Sequence, residues 1–233
     1  MEVDIEKRLK NIKNRIKKAI EKSAQPEKEV KLLTVIKKQP MEKIEKALSL
    51  GVEYIAENRV QEAEKKIPKL KNKYKEFHFI GHLQSNKINK LLKIKPVLIH
   101  SIDKYSTAKK LNKRLIRKDL DQDILIQVNT SFEESKYGTE PEETEQLTKE
   151  ISKLERVHIK GLMTIGKLTD NEDEIRRGFK KLKQLFDQLK EKDYENMEMK
   201  YLSMGMTSDF EIAIEEGSNI VRIGRAILGE RKY

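Results

Sequence analysis

The stretch KYLSMGMTSDFEIAIEEGSNIVRIGRAIL (200–228) contains one complete strand–helix–strand unit. Its two apolar runs, KYLSM (200–204) and IVRIG (220–224), have the length and composition of buried strands. The segment between them, 208–216, has apolar residues at helical spacing. Strands joined through a helix lie parallel in one sheet, so this stretch predicts an α/β fold.

The same alternation of apolar runs and amphipathic segments extends back to residue 30. The earlier runs are VKLLTVI (30–36), VEYIA (52–56), FHFIG (77–81), PVLIH (96–100), ILIQV (124–128) and VHIKGLM (157–163). About eight strands in a chain of this length predict a single (β/α)8 TIM-type barrel, which typically takes ~250 residues. Residues 2–22 predict an extra N-terminal helix. An open doubly wound sheet is the alternative, although no Gly-x-Gly-x-x-Gly turn follows the first strand.

Composition narrows the functional classes. The chain has no cysteine, which excludes disulfides and thiolate metal sites and fits a cytoplasmic location. No window approaches the ~20 apolar residues of a membrane span, and no histidine or carboxylate cluster has metal-ligand spacing. The net charge of +11 suggests nucleic acid, but the lysines alternate with glutamates as on solvated helices. No linker or composition break divides residues 1–233, so we expect one domain.

Polar residues follow the predicted strands, where a barrel carries its chemistry. Lys37 follows the first strand, Asn58 the second and His82 the third, while Arg222 lies in the last. This pattern predicts a small anionic ligand at one mouth of the barrel. Position alone does not single out Lys37, because a lysine after a strand is more often a solvated loop residue.

Two glycine-containing turns end the last two predicted strands, at Gly205 and Gly224. Backbone N–H groups in such turns, placed before helices, can bind a phosphate dianion. The alternative is that both glycines only permit tight turns between strand and helix. The sequence favours the phosphate site without excluding the alternative.

Several motifs together closely resemble the pyridoxal phosphate homeostasis protein family. They run in family order over about residues 30–233 and are LLTVIKKQP, GVEYIAENRVQEA, FHFIGHLQSNK, IHSID, ILIQVNTSFEESKYG, IKGLMTIG, LSMGMTSDFEIAIEEGSNIVRIG and AILGER. The resemblance implies a single barrel like the N-terminal domain of alanine racemase, a fold-type III protein. It also implies pyridoxal 5′-phosphate (PLP) as the cofactor, held on a lysine as a Schiff base.

The resemblance assigns the site residues one by one. It places the Schiff base on Lys37, not on the adjacent Lys38, and sets Arg222 opposite the pyridine nitrogen. It gives Ser135 and Lys136 a role in cofactor handling. The remaining assignments are Asn58 and His82 at the ring side, and Ser203, Met204, Gly205, Gly224 and Arg225 around the phosphate. Arg225 stands where the family often has threonine or serine.

The same resemblance predicts binding without robust catalysis, so we expect no enzyme and assign no catalytic residue. An arginine beside the pyridine nitrogen keeps its own proton and leaves that nitrogen unprotonated, which weakens the ring as an electron sink. Racemases of this fold add a tyrosine base from a second domain, whereas this sequence stops at Tyr233. We therefore expect a monomer serving vitamin B6 homeostasis, with apo PLP-dependent enzymes as possible partners. A small PLP-dependent amino-acid racemase is the alternative.

Overall fold

The computed structural model describes residues 4–131, 133 and 137–230. Its strands are β1 (Lys31–Val35), β2 (Tyr54–Glu57), β3 (Glu76–Phe79), β4 (Leu98–Ile102), β5 (Gln122–Gln127), β6 (Val157–Met163), β7 (Met197–Ser203) and β8 (Ile220–Ile223). Its α-helices are α1 (Ile5–Lys22), α2 (Met41–Ser49), α3 (Val60–Lys66), α4 (Ile88–Ile94), α5 (Tyr105–Ile116), α6 (Thr144–Ile151), α7 (Glu172–Lys190), α8 (Phe210–Glu215) and α9 (Arg225–Leu228). Three short 3-10 helices span Ile67–Leu70, Ser85–Lys87 and Pro141–Glu143.

The strands close into a parallel barrel in chain order, which confirms the predicted fold class. β1 pairs with β2 on one side and with β8 on the other, so neither edge of the sheet is open. The open doubly wound sheet is therefore excluded. Each of the eight predicted apolar runs overlaps one strand of the barrel.

The predicted leading helix is present and begins within the described part of the chain at Ile5. Asp4 caps it by accepting a hydrogen bond from the backbone N–H of Lys7 at 2.9 Å. Its buried residues recur at helical spacing and pack against α2, α8, α9 and the adjacent strands. They are Ile5, Leu9, Ile12, Ile16 and Ala19. The helix thus adds a layer over one side of the barrel.

Alternation along each strand divides the side chains between the barrel interior and the helix layer. An apolar cluster that includes Leu98 on β4 and Ile220 on β8 fills part of the interior. The polar residues His100 and Arg222 lie two positions further along the same strands, on the same inward face, and both are buried. Among the described residues, no helix is long and apolar enough to cross a membrane.

Candidate functional site

A cavity of about 250 Å³ opens at the C-terminal ends of the strands. Its walls come from the ends of β1, β2, β3, β6 and β8 and from the loop between β7 and α8. The polar and glycine lining is Lys37, Gln39, Asn58, Thr207, Ser208, Arg222, Gly224 and Arg225, and the apolar lining is Val35, Ile80, Met163, Ile165, Leu168 and Met206. Five predicted site residues therefore meet at one cavity, namely Lys37, Asn58, Arg222, Gly224 and Arg225.

Lys37 reaches the cavity just beyond the end of β1, and Asn58 holds its ammonium group. With the Asn58 amide oriented so that both of its polar atoms find partners, its oxygen accepts from Lys37 Nζ at 3.0 Å. Its nitrogen then donates to Glu57 Oε1 at 3.1 Å. Glu57 is fully buried and also accepts from Lys66 Nζ at 3.0 Å. This network places the amine of Lys37 against a neutral acceptor.

Lys38 takes a different direction from its neighbour. Its φ of +53° lies in the left-handed region, which turns the backbone at this residue. Its backbone N–H donates to Glu62 Oε2 at 2.9 Å, on the side of α3. Lys38 is not among the residues that line the cavity, whereas Lys37 is. Of these two lysines, the structure therefore places Lys37 at the cavity.

Arg222 projects from β8 and is only 4 % exposed. One terminal nitrogen donates to Ser203 Oγ at 2.8 Å and the other to the carbonyl oxygen of Thr164 at 2.7 Å. Burial lowers the pKa of Arg222 to about 10, although Asp209 opposes this shift. The guanidinium is therefore still charged at neutral pH and is fixed in direction. It lines the cavity as a hydrogen-bond donor.

Behind Arg222, a row of hydrogen bonds continues through the barrel. Ser203 Oγ is 3.0 Å from His100 Nδ1, and His100 Nε2 is 2.9 Å from His78 Nδ1. His78 Nε2 is in turn 2.9 Å from Glu76 Oε2. Burial lowers the pKa of both histidines, and it lowers that of His100 well below the usual value. The sequence pattern does not connect these residues, because their connection depends on four strands in their three-dimensional register.

In the turn after β7, the residues that line the cavity come later in the chain than the sequence predicts. Ser203 and Met204 are fully buried, and Gly205 packs against α8, where an added Cβ would lie 2.6 Å from the Ala213 Cβ. None of these three residues lines the cavity, so their contact with phosphate stays a prediction. The lining comes instead from Met206, Thr207 and Ser208. The Met206 N–H is held by Asp209 Oδ1, which fixes the shape of this turn.

The turn after β8 lies where the sequence predicts it. Gly224 and Arg225 both line the cavity, and Arg225 begins α9. A Cβ on Gly224 would lie 2.9 Å from the Val35 carbonyl oxygen, so only glycine lets this turn approach β1 so closely. Both residues therefore form part of the cavity wall, and their contact with phosphate stays a prediction.

Two other predicted positions lie away from the cavity or outside the described residues. His82 is exposed and stacks on Tyr137, with ring centroids 4.1 Å apart, and it is not a lining residue. Because His82 is not part of the cavity wall, its predicted contact with the cofactor ring stays a prediction. Ser135 and Lys136 lie outside the described residues. Within the described ranges, no group of histidine and carboxylate side chains could hold a metal ion.

The fold and the cavity define a barrel of the alanine racemase N-terminal domain class. The sequence model described as "Alanine racemase, N-terminal domain" matches residues 8–232. A protein of Aquifex aeolicus (strain VF5) named pyridoxal phosphate homeostasis protein is 45% identical over 97% of this chain and 98% of its own length. The chain belongs to the pyridoxal phosphate homeostasis protein family, which confirms the resemblance carried by the motifs.

Solved structures agree with this placement. A protein of unknown function from Bifidobacterium adolescentis superposes with a TM-score of 0.91 at 35% identity, covering 96% of this chain and 94% of that one. PipY of Synechococcus elongatus PCC7942, solved with PLP bound, gives a TM-score of 0.82 at 27% identity, covering 97% and 100%. Alanine racemase of Clostridium difficile 630, at 21% identity and a TM-score of 0.70, shares the fold over 95% of this chain and 55% of its own.

Proposed function

We propose that residues 1–233 form one PLP-binding barrel that holds the cofactor on Lys37 and serves PLP homeostasis. The observation that carries this proposal is the convergence of Lys37 Nζ, held by Asn58, and the buried guanidinium of Arg222 on one cavity. PipY, which resembles this chain over nearly its whole length, has PLP bound. The 45% identical relative from Aquifex aeolicus is named for PLP homeostasis.

The donor set fits the chemistry of PLP. An amine suits an aldehyde, a fixed charged donor suits a pyridine nitrogen, and small polar residues in turns suit a phosphate. The cavity supplies them as Lys37, Arg222, and the turns at Thr207–Ser208 and Gly224–Arg225. When bound, PLP supplies an aldehyde for covalent attachment to amines and a ring that can accept electrons.

The donor chemistry of Arg222 favours binding of the cofactor over catalysis with it. Ser203 and Thr164 fix its guanidinium, which only donates hydrogen bonds and therefore does not provide a proton to the ring nitrogen at neutral pH. A ring without that proton stabilises carbanions poorly, so efficient turnover is not expected. The proposal accordingly assigns no catalytic residue.

The proposal also covers the compartment, the oligomeric state and the partners of the protein. We infer a cytoplasmic monomer that passes PLP to apo PLP-dependent enzymes. The absence of cysteine from the sequence supports the reducing compartment. The cavity is open to the outside at the strand ends, which supports exchange of the cofactor with a partner.

Titration with PLP tests the proposal directly. Purified protein is mixed with PLP and the visible absorbance of the covalent lysine adduct is followed, in the wild type, Lys37→Ala and Lys38→Ala. We expect saturable adduct formation in the wild type and Lys38→Ala and none in Lys37→Ala. Lys38→Ala is the matched control because it removes an equal charge from the adjacent residue. Adduct formation that survives in Lys37→Ala but disappears in Lys38→Ala contradicts the assignment.

A further inference from the structure

A continuous row of hydrogen bonds crosses the barrel interior from Arg222 to Glu76. Between these ends lie Ser203, His100 and His78, each within 3.0 Å of the next. Arg222 and Ser203 lie near the C-terminal ends of β8 and β7, whereas Glu76 is the first residue of β3. The row therefore links the cavity with the opposite end of the barrel.

The Glu76 end of the row sets the direction of every hydrogen bond in it. The Glu76 carboxylate only accepts, so His78 carries its proton on Nε2 and, when neutral, accepts at Nδ1. His100 must then donate from Nε2 and accept at Nδ1, where Ser203 donates. At the other end the guanidinium of Arg222 only donates, so Ser203 Oγ accepts from it through one lone pair, which leaves the Ser203 proton available for His100.

The charges around the row support neutral histidines. Burial lowers the pKa of His78 although Glu76 opposes this, and burial, His78 and Arg222 together lower that of His100. The hydrogen bond from His78 holds the pKa of Glu76 down to about 2, with Lys31 adding to the shift. Glu76 is thus an anion at neutral pH and accepts from Lys31 Nζ at 2.7 Å as well.

We propose that Glu76, across the barrel from the cavity, is a positioning residue for Arg222, because it fixes both buried histidines as Nε2–H tautomers and so orients Ser203. With this direction, the Ser203 proton points away from Arg222 and a lone pair points towards it. The guanidinium is thereby held in line with the cavity. The inference deepens the proposed function, since it rests on Arg222 facing the ring of the bound cofactor.

The variant Glu76→Gln should reverse the row. Lys31 Nζ donates to both carboxylate oxygens, at 2.7 and 2.8 Å, so the new amide nitrogen lies beside it in either orientation. We expect the orientation in which the nitrogen faces His78, because there it finds an acceptor of its own in Nε2. His78 Nε2 then accepts, and the proton moves to Nδ1, from which His78 donates to His100 Nε2. His100 in turn donates from Nδ1 to Ser203. Both buried histidines therefore change to the Nδ1–H tautomer. Their N–H groups then point along the row towards Arg222, so the positive ends of these dipoles face the guanidinium.

Nitrogen NMR of the histidine side chains tests this inference on protein without PLP. Long-range proton–nitrogen correlation at pH 7.5 distinguishes Nε2–H from Nδ1–H rings. The chain has four histidines, and His82→Gln and His158→Gln assign the two outside the row. We expect two buried Nε2–H rings in the wild type and two buried Nδ1–H rings in Glu76→Gln. Lys31→Met retains the carboxylate and should keep the wild-type tautomers.

Glu198→Gln is the matched charge control. Glu198 also lies at the N-terminal end of a strand and pairs with a lysine, Lys160, at 2.8 Å, but it does not join the row. We expect the PLP dissociation constant to rise about fivefold in Glu76→Gln, the lower end of the usual coupling between distant sites. It should stay unchanged in Glu198→Gln.

The possible outcomes separate this inference from the proposed function. A doubly protonated His78, an Nδ1–H ring in the wild type, or unchanged tautomers in Glu76→Gln overturns the fixed direction of the row. Equal PLP affinity of Glu76→Gln and the wild type overturns the role of Glu76 in positioning Arg222. A wild type that forms no lysine adduct with PLP refutes the proposed function, while the tautomer result without PLP is unaffected.

Discussion

Replacing Ser203 with alanine removes two hydrogen bonds from the centre of the barrel. Ser203 Oγ accepts from Arg222 and lies 3.0 Å from His100 Nδ1. Arg222 is 4 % exposed and Ser203 is fully buried, so water does not readily replace the lost hydroxyl. The substitution removes one oxygen atom, so the cavity that it leaves contributes little to the change in stability.

The expected loss of stability is large because one hydrogen-bond partner of Ser203, Arg222, is charged. A hydrogen bond to a charged group contributes ~1.5–3 kcal/mol, and a buried acceptor left unpaired at His100 costs ~1–3 kcal/mol. We therefore expect Ser203→Ala to lower the free energy of unfolding by about 2.5–6 kcal/mol. For a chain of this size each kcal/mol lowers Tm by ~2–4 °C, so the melting temperature should fall by ~5–24 °C.

Urea unfolding followed by circular dichroism measures this loss, with Ser101→Ala as the matched control. Ser101 is another buried barrel serine, but it donates to the neutral carbonyl of Gly81. Its removal costs a neutral hydrogen bond, ~0.5–1.5 kcal/mol, and one unpaired acceptor, ~1–3 kcal/mol, so we expect a smaller loss than in Ser203→Ala. The slope of the unfolding free energy with urea should stay the same in both variants. Equal losses in the two variants, or a loss below ~1 kcal/mol in Ser203→Ala, would refute the reasoning about the buried guanidinium.

Three further predictions address acid stability, the turn after β7 and catalysis. The folded-state pKa of Glu76, about 2, lies below its ordinary value of 4.5, so its contribution is complete above about pH 5 and is lost as the pH falls towards 2. The stability difference between wild type and Glu76→Gln, measured by urea unfolding, should therefore shrink as the pH falls from about 5 towards 2. A difference that grows over this pH range would contradict the direction of the pKa shift. Gly205→Ala should cost more than Gly51→Ala in the same assay, because both have positive φ but only Gly205 has an atom within 3 Å of the added Cβ; equal costs would contradict the packing described for the turn. PLP-loaded protein should interconvert alanine enantiomers far more slowly than the ~1 per second of ordinary enzymes, and chiral chromatography showing that rate would favour the racemase.

The fold was predictable because its signal is repeated along the whole chain. Each short apolar run followed by an amphipathic segment predicts a strand and a helix, and the eight runs together predict closure of the barrel. The motifs assign Lys37 and Arg222 to the site, and the structure brings both to the cavity, while their contacts with a cofactor stay predictions. Gly224 was recognisable from its position between a strand and a helix.

Other parts of the site depend on geometry that a linear pattern does not contain. His82 follows a strand in the sequence, yet its ring stacks on Tyr137 outside the cavity wall. The motif assigns phosphate contacts to residues 203–205, and these contacts stay a prediction. Gly205 packs against α8, and the residues of this turn that line the cavity are the next three. The link between His78 and His100 arises because adjacent strands bring their inward faces together. Strand alternation places both side chains inward, but it does not show that their rings meet.

The most direct test of the central claim is to locate the lysine that carries PLP. Loaded wild-type protein is reduced with borohydride, which makes the attachment permanent, and is cleaved after glutamate. Cleavage after Glu29 and Glu42 releases a peptide spanning 30–42, which contains Lys31, Lys37 and Lys38. Fragmentation in the mass spectrometer then distinguishes the three. The account predicts the cofactor on Lys37 alone, in about one equivalent per chain. Modification of Lys38, or labelling spread over surface lysines, would contradict it.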